Sequence, residues 1–460
     1  MRPVEPIDSH HDYDLVVIGS GGAAFAPAIR ARDLGRSVVL IDRGTVGGTC
    51  VNVGCIPSKT LLADSERING PAPDLGAAVE RKDVLVARLR QEKYLDLLDE
   101  YGIDLRAGEA ELVDGHSVAV DGASVGAGAI LVAAGARPAI PPIPGLEEAG
   151  YLTSATALEV SEPPVRLAVI GANAVGLELG QMFGNFGARV TFIDLVRVVP
   201  FEEAEVAEAM REVLEDQGHA VIEGARTERV SVEDGERVLR GTVGGEPFEV
   251  RADEILVATG RRPNTEGLGL ERVGVELDPR GAIVVDSEQR TSVPSVFAAG
   301  DVTSQPQFVY VAAAGGAAAA ENAFGVGGER LGLDSLPRIV FTAPQIASAG
   351  LTEAQARQRG FEVESRILPL DAVPRALVNG DTRGLYKLVA EASSGRLLGA
   401  SVVADGAAEV IQAAVYAIER GMTVGEVAST WAPYLTMAEG FKLAAQTFTR
   451  DVAKLSCCAA

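Results

Sequence analysis

Short unbroken runs of apolar residues, each ending at a glycine turn, recur along the chain. The first is Leu-Val-Val-Ile at 15–18, entered from Asp14. A run this short with no polar alternation predicts a strand buried on both faces, as in a parallel sheet. It leads into Gly19-Ser20-Gly21-Gly22-Ala23-Ala24, then a stretch of helical composition at 26–34, then a second apolar run at 37–41 that closes on Asp42. The same order returns later. Arg166–Ile170 reads as a strand, Gly171-Ala172-Asn173-Ala174-Val175-Gly176 as the turn, and Arg189–Ile193 as the next strand, closing on Asp194. Asp42 stands 23 positions after Gly19, and Asp194 stands 23 after Gly171. Two units of matched spacing predict two α/β domains of one design.

That design has a chemistry. In a strand–turn–helix unit the glycines allow a tight turn and let the backbone approach a pyrophosphate at the helix N-terminus, while the acid after the second strand accepts hydrogen bonds from a ribose. The first unit fits as G-x-G-x-x-A, with Gly19, Gly21 and Ala24. The second carries Asn173 in place of the middle glycine, between Gly171 and Gly176. Asp194 there repels a 2′-phosphate and favours NADH, whereas Arg197, three residues on, is placed to pair with that phosphate, so NADH and NADPH both stay open.

Elsewhere the pattern is coarser. Residues 1–11, with Pro, Ser, His10 and His11, show no periodicity and read as a frayed leader. Residues 73–105 have helical composition and include Tyr94; 129–138 read as a strand through Ala134 and Gly135; the proline-rich 138–144 marks a boundary. From residue 337 strands broken by Gly and Asp alternate with helical patterns at 407–420 and 439–448.

A chain of 460 residues suggests about three domains. Its formal charge of −23 excludes a nucleic-acid partner, because a phosphate backbone would be repelled. No run of eighteen apolar residues and no basic-then-apolar start are present, so neither a membrane span nor a signal peptide is expected. Four cysteines make no disulfide scaffold and point to reactive or metal-binding thiols in a reducing cytoplasm.

Two of the four are Cys50 and Cys55. Regular helix spacing would leave their side chains roughly 140° apart, so pairing the sulfurs needs a distorted first turn, which Gly54 permits. A helix N-terminus at this point favours the thiolate. Taken alone the pair fits a structural disulfide or two buried thiols as well as a redox centre; lying directly after a dinucleotide unit, it reads as redox-active. The other two, Cys457 and Cys458, are adjacent near the end of the chain. They read either as inert terminal thiols or as a tail that captures a soft metal ion, for which thiolates are the preferred ligands.

The stretch 47–59, Gly-Gly-Thr-Cys-Val-Asn-Val-Gly-Cys-Ile-Pro-Ser-Lys, resembles the active-site motif of the flavoprotein disulfide reductases. That family uses a His–Glu pair in an H-P-T-x-x-E pattern near its C-terminus. Here the corresponding stretch is Tyr434-Leu435-Thr436-Met437-Ala438-Glu439, and the four histidines (His10, His11, His116, His219) all lie earlier. A phenol with pKa near 10 is a poor thiol base at neutral pH. With Pro306–Ala313, 373–376, 434–448 and the terminal Cys-Cys, the resemblance narrows to the mercuric reductase branch and covers about residues 12–460.

The resemblance implies an α/β fold with an FAD domain at 12–150 and 283–330, an NAD(P)H domain at 151–282, and an α+β dimerisation domain at 335–460 carrying the tail. It implies FAD contacts from Thr49, Gly300 and Asp301 besides the first turn, Lys59 paired with Glu178 beside the flavin, and a closing Thr259-Gly260 in the nicotinamide domain. The branch generally uses NADPH. It also implies a homodimer in which Cys457 and Cys458 of one subunit take Hg(II) and pass it, by exchange involving small thiols, to Cys50 and Cys55 of the other. Cys50 is then the exchanging thiol, Cys55 the one against the flavin, and Tyr94 and Tyr434 lie near the metal. The leader being short, the tail is expected to be the only acceptor. A disulfide reductase with a tail shuttle, and a flavoprotein that sequesters metal without turnover, are the alternatives.

Overall fold

The computed structural model describes residues 11–66, 74–328 and 330–451. The first sheet places Asp104–Ala107, Val38–Asp42, Tyr13–Ile18 and Ala123–Val132 side by side in parallel, and Val296–Ala298 adds to 123–132 on its far side. Ser117–Val120 and Ala110–Asp114 hang antiparallel from the outer half of 123–132. Both faces are buried. Leu15, Val17, Val38 and Leu40 face one core and Val16, Ile18, Val39 and Ile41 the other, which is why these runs show no polar alternation. Helix Gly22–Asp33 packs against helix Val309–Ala323 at close range: a Cβ on Gly316 would stand 2.7 Å from the Ala23 carbonyl oxygen.

A second parallel sheet runs Ala220–Ile222, Arg189–Ile193, Arg166–Ile170, Glu254–Val257, beside an antiparallel meander of Ala225–Glu233, Glu236–Val243 and Glu246–Ala252. Ala136–Pro138 pairs with Arg261–Pro263 and ties this part of the chain to the first sheet. The third sheet is antiparallel, in the order Pro337–Val340, Gln345–Gly350, Leu397–Ala404, Leu385–Glu391, Val363–Pro369, with helices Ala407–Glu419 and Ala438–Gln446 closing its core.

The structure differs from the sequence pattern in two places. The region read as helical throughout 73–105 is a helix Leu75–Arg90, a π-helical turn Gln91–Leu95 and a helix Asp96–Tyr101 that stops at Gly102 (φ +62), after which Asp104–Ala107 becomes the edge strand. The strand expected at 129–138 instead spans 123–132, breaks at 133–135, where Gly135 takes φ +66°, and resumes as the short strand Ala136–Pro138. Among the described residues no helix is long and apolar enough to cross a membrane.

Candidate active site

Cys50 lies on the short helix Gly48–Val53, and Cys55 opens the helix Cys55–Ser65. Gly54 separates them with φ −134° and ψ −118°, and a Cβ there would sit 2.8 Å from the Thr49 carbonyl oxygen and 3.2 Å from the Cys50 Cα. The bare backbone at this point lets the second helix restart against the first, which overrides regular helical spacing and brings the thiols into hydrogen-bonding contact. Both are free thiols. The contact splits them. The hydrogen bond from Cys50, then the nearby Lys59 ammonium, hold Cys55 down at about 7 against the opposing effect of burial. Cys50, which donates that bond and is half-buried, is pushed well above the usual thiol range. The helix start at Cys55 thus carries the thiolate, and Cys50 keeps its proton.

Lys59 is one turn past Cys55. Its Nζ meets Glu178 Oε2 at 2.5 Å and lies 4.7 Å from the centre of the Phe341 ring. The other Glu178 oxygen accepts the Phe341 backbone N–H at 2.9 Å. Glu178 belongs to helix Ala174–Asn185 of the second sheet, and Phe341 follows the first strand of the third. One buried carboxylate therefore joins the thiol-bearing helix to both other sheets.

Two phenols complete the surroundings. Tyr94 sits in the π-helical turn, edge-on to Phe25 with ring centres 4.9 Å apart, and its ring approaches Gly47. Burial, then the charges of Cys50 and Cys55, raise it above its usual 10. Tyr310, stacked on Phe308 at 5.2 Å, donates to the Pro337 carbonyl at 2.5 Å; burial and the Cys55 charge push it up to about 12, against the opposing Arg338. The sequence reading did not single out Tyr310. It lies in the stretch Pro306–Ala313 that carries the family resemblance, as an aromatic residue at the start of an otherwise alanine-rich helix.

The first turn forms a bare cradle. Ala24 is fully buried on helix Gly22–Asp33, whose N-terminus is capped by Gly21. A Cβ on Gly48 would lie 2.6 Å from Gly21 Cα, so no side chain stands between this helix start and the Cys50 helix. Asp42 takes Ser20 Oγ at 2.5 Å and Gly44 N–H at 2.6 Å. Asp301, held up by burial, lies 3.4 Å from Arg261 Nε, and Arg261 Nη2 reaches the exposed Thr49 hydroxyl at 3.4 Å. Gly300, at φ +77°, presses on Ala23 and Ala312. The Ala134 and Gly135 carbonyls are bonded by Asn264, just past Gly260, which itself accepts from Ala139 N–H. A pyrophosphate cradle, a ribose acid and an acid linked through Arg261 to Thr49, the residue before Cys50, fit FAD.

The second unit repeats the cradle. Cβ atoms at Gly171 and Gly176 would collide with the Ala258 and Gly171 carbonyl oxygens. Asn173 caps the helix at φ −100° and ψ −171°, ordinary extended backbone that does not require glycine, which explains the altered middle position. Asp194 and Arg197 follow the second strand.

Tyr434 lies on the loop before helix Ala438–Gln446, 63% exposed, next to Leu435 at φ +58°. Glu439 is buried in that helix, and desolvation raises its carboxyl. Of the described histidines, His11 stacks on His116 with ring centres 5.3 Å apart, and His219 is packed against Phe192. No described imidazole takes part in the site. His10, Cys457 and Cys458 lie outside the described residues. Among the described ones no group of three or more His, Cys, Asp or Glu is gathered to hold a metal, so Cys50 and Cys55 are the described part of the expected metal set.

Residues 13–316 match the family Pyridine nucleotide-disulphide oxidoreductase, and 336–445 match its dimerisation domain. The chain belongs to the pyridine nucleotide-disulphide oxidoreductases. Within this family it is similar to the mercuric reductase of Streptomyces lividans, 50% identical over 98% of this chain and 100% of the relative. It is also similar to that of Staphylococcus aureus, 48% identical over 97% of this chain and 84% of the relative. Among solved structures, the Cu(II) complex of the HOCl-induced flavoprotein disulfide reductase RclA from Escherichia coli matches at a TM-score of 0.87 and 31% identity, over 95% of this chain and 99% of that one. LpdA from Mycobacterium tuberculosis matches at 0.84 and 28%, over 95% and 100%. As a pyridine nucleotide-disulphide oxidoreductase the chain uses FAD and NAD(P)H.

Proposed function

We propose that this oxidoreductase reduces Hg(II) to Hg(0) at Cys50 and Cys55. The observation that carries the reading is the dithiol with Tyr434 standing where a disulfide reductase has its histidine, in a chain matched over nearly its whole length by mercuric reductases. Reducing a disulfide requires a group that protonates and deprotonates thiols near neutral pH, and the described imidazoles are elsewhere. Releasing Hg(0) requires only electrons.

Bound FAD, recharged by hydride from NAD(P)H, supplies two electrons beside the pair. The protein residues do the rest. Hg(II) enters by exchange at Cys50, the outer thiol, which gives up its proton as its Hg–S bond forms, and Cys55, beside the Lys59 ammonium, closes the second Hg–S bond as thiolate. When two electrons enter the metal both Hg–S bonds break, each sulfur keeps its bonding pair, Cys50 regains a proton and neutral Hg(0) departs. The balance is NAD(P)H plus Hg(II) giving NAD(P)⁺, Hg(0) and one proton. Tyr94, pushed above an ordinary phenol, stays protonated at neutral pH and offers its hydroxyl as a hydrogen-bond donor near the exchanging sulfur, while Tyr310, also protonated, keeps its one O–H on the Pro337 carbonyl. Lys59, anchored by Glu178, keeps a positive charge beside Cys55.

In this reading the protein works as a cytoplasmic homodimer. Cys457 and Cys458 of the partner subunit collect Hg(II) from small thiols and hand it, past the partner's Tyr434, to the inner pair. Hg(II)-dependent NAD(P)H oxidation in excess small thiol tests this. Cys50→Ala and Cys55→Ala are expected to abolish it, and Cys457→Ala/Cys458→Ala to slow it most when the competing thiol ligands are bulky. Full turnover by Cys55→Ala would overturn the assignment.

A further inference from the structure

We propose that Asn52 and Arg90 are positioning residues for the dithiol: together they lock the segment that presents Tyr94 onto the loop that leads into Cys50. This rests on reading Cys50 as the exchanging thiol.

Asn52 lies two residues past Cys50 on the helix Gly48–Val53. Its Nδ2 donates to the Thr45, Val46 and Gly48 carbonyls at 3.3, 3.0 and 2.9 Å, which ties the loop before the helix to the helix's own first turn. Gly47, which starts that helix at φ +104°, has no side chain to cap it, so the loop is held from Asn52 instead. The other end of the amide faces outward: Oδ1 accepts Arg90 Nη1 at 3.1 Å, across 38 positions of sequence. Both ends of one side chain are engaged, one with the thiol helix and one with the neighbouring element.

Arg90 is the last residue of the helix Leu75–Arg90, and the π-helical turn Gln91–Leu95 begins directly after it. In that turn the Asp96 N–H reaches back five residues to the Gln91 carbonyl. Regular helical bonding therefore does not dictate where Tyr94 points, and the ring needs anchors from outside its own segment. Phe25 meets it edge-on at 4.9 Å. The bare backbone of Gly47 is the other wall: a Cβ there would stand 3.5 Å from Tyr94 Cδ2 and 3.5 Å from Asn52 Nδ2. Tyr94 and Asn52 thus flank one position, and the Arg90–Asn52 hydrogen bond, four residues before Tyr94, fastens the two segments there. The charges of Cys50 and Cys55 both reach the phenol. An O–H offered to sulfur favours thiolate over thiol, and Cys50 is the thiol whose proton has to leave during exchange.

The test is alkylation of the reduced holoenzyme by iodoacetamide at pH 8, without mercury, with Cys50 and Cys55 counted separately by peptide mapping. Tyr94→Phe is expected to slow the reaction of Cys50 by about three- to tenfold, the effect of one hydrogen bond. Arg90→Met, which keeps the aliphatic stem, and Asn52→Ala should each slow Cys50 in the same direction. Arg90→Lys, which restores a donor for Asn52 Oδ1, should recover most of the rate. Because all three residues act through the phenol, Arg90→Met/Tyr94→Phe should be no slower than Tyr94→Phe alone. Faster reaction of both thiols in Arg90→Met would show that the pair only keeps the loop closed, and would overturn the proposal. So would a wild-type Cys50 rate in Tyr94→Phe, or losses that multiply in the double variant. Absence of Hg(II) turnover, by contrast, would strike the functional reading and leave these rates as they are.

Discussion

A methyl group at position 54 would stand 2.8 Å from the Thr49 carbonyl oxygen and 3.2 Å from Cys50 Cα. Gly54→Ala therefore has to push the two helix starts apart. Overpacking of this kind costs about 1–3 kcal/mol, and here it also separates the sulfurs. The expected result is a lower denaturant midpoint together with a slower dithiol-to-disulfide conversion; a variant that loses neither would show that the close backbone approach is not what pairs the thiols. The split between the thiols gives a second prediction. Since Cys55 is held at about 7 chiefly by the hydrogen bond from Cys50, thiolate absorbance of reduced Cys457→Ala/Cys458→Ala protein should rise with a midpoint near 7. Adding Cys50→Ala should move that midpoint upward, toward an ordinary thiol. No movement would assign the shift to Lys59 instead.

Elements meet through buried charge. Glu178 bonds Lys59 on one oxygen and Phe341 N–H on the other. Glu178→Ala would strand both, at about 1–3 kcal/mol for the buried donor alone; Glu178→Gln keeps an acceptor and should recover most of it in urea unfolding. A second junction lies further out. Lys387, on strand Leu385–Glu391, is 4% exposed and faces Glu203, Glu205 and Glu353 within 3.3 Å. Lys387→Met would leave three carboxylates facing one another and is expected to cost about 3–5 kcal/mol. Glu353 is held down at about 2, mainly by Arg357 and Ser365. A depressed carboxylate contributes stability above its unfolded value and loses it as pH falls through the folded one, so this junction should weaken between about 4.5 and 2. Cleavage by an acid-active protease, mapped across that window, measures it.

These junctions mark where the sequence stops being informative. The matched Gly-to-Asp spacing located both cradles, because a βαβ turn is local and its glycines answer to backbone constraints within a few residues. Cys50, Cys55 and Lys59 were legible for the same reason. Glu178 as the partner of Lys59 came only through family resemblance, since 119 positions separate them. Tyr310 and Arg261 lie in stretches that resemble the family's, but nothing local marks either as a site residue, and Phe341 carries no pattern at all; packing between sheets brings them in. The π-helical turn that presents Tyr94 is likewise invisible in a run of ordinary helical composition.

At the scale of the whole molecule, the domain that matches the family's dimerisation domain carries Trp431 at 98% exposure and Tyr434 at 63% on one loop, anchored by the Tyr386 hydroxyl on the Met437 carbonyl at 2.6 Å. If a second copy covers this loop, Trp431, the only tryptophan in the chain, reports on assembly. Its emission should lie to the blue in the dimer and move red on dilution to monomer. Emission typical of water-exposed indole at every concentration would place the loop outside the interface.

The central claim is that the electrons gathered at Cys50 and Cys55 go to a soft ion and not to an S–S bond. It is tested most directly by giving the purified holoenzyme, with NADPH and with NADH, mercuric ion in excess small thiol, lipoamide, and oxidised glutathione in parallel, while following nucleotide oxidation and released mercury vapour. The account predicts one Hg(0) per nucleotide oxidised and negligible turnover of either disulfide. Rapid reduction of a disulfide with no mercury vapour would contradict it.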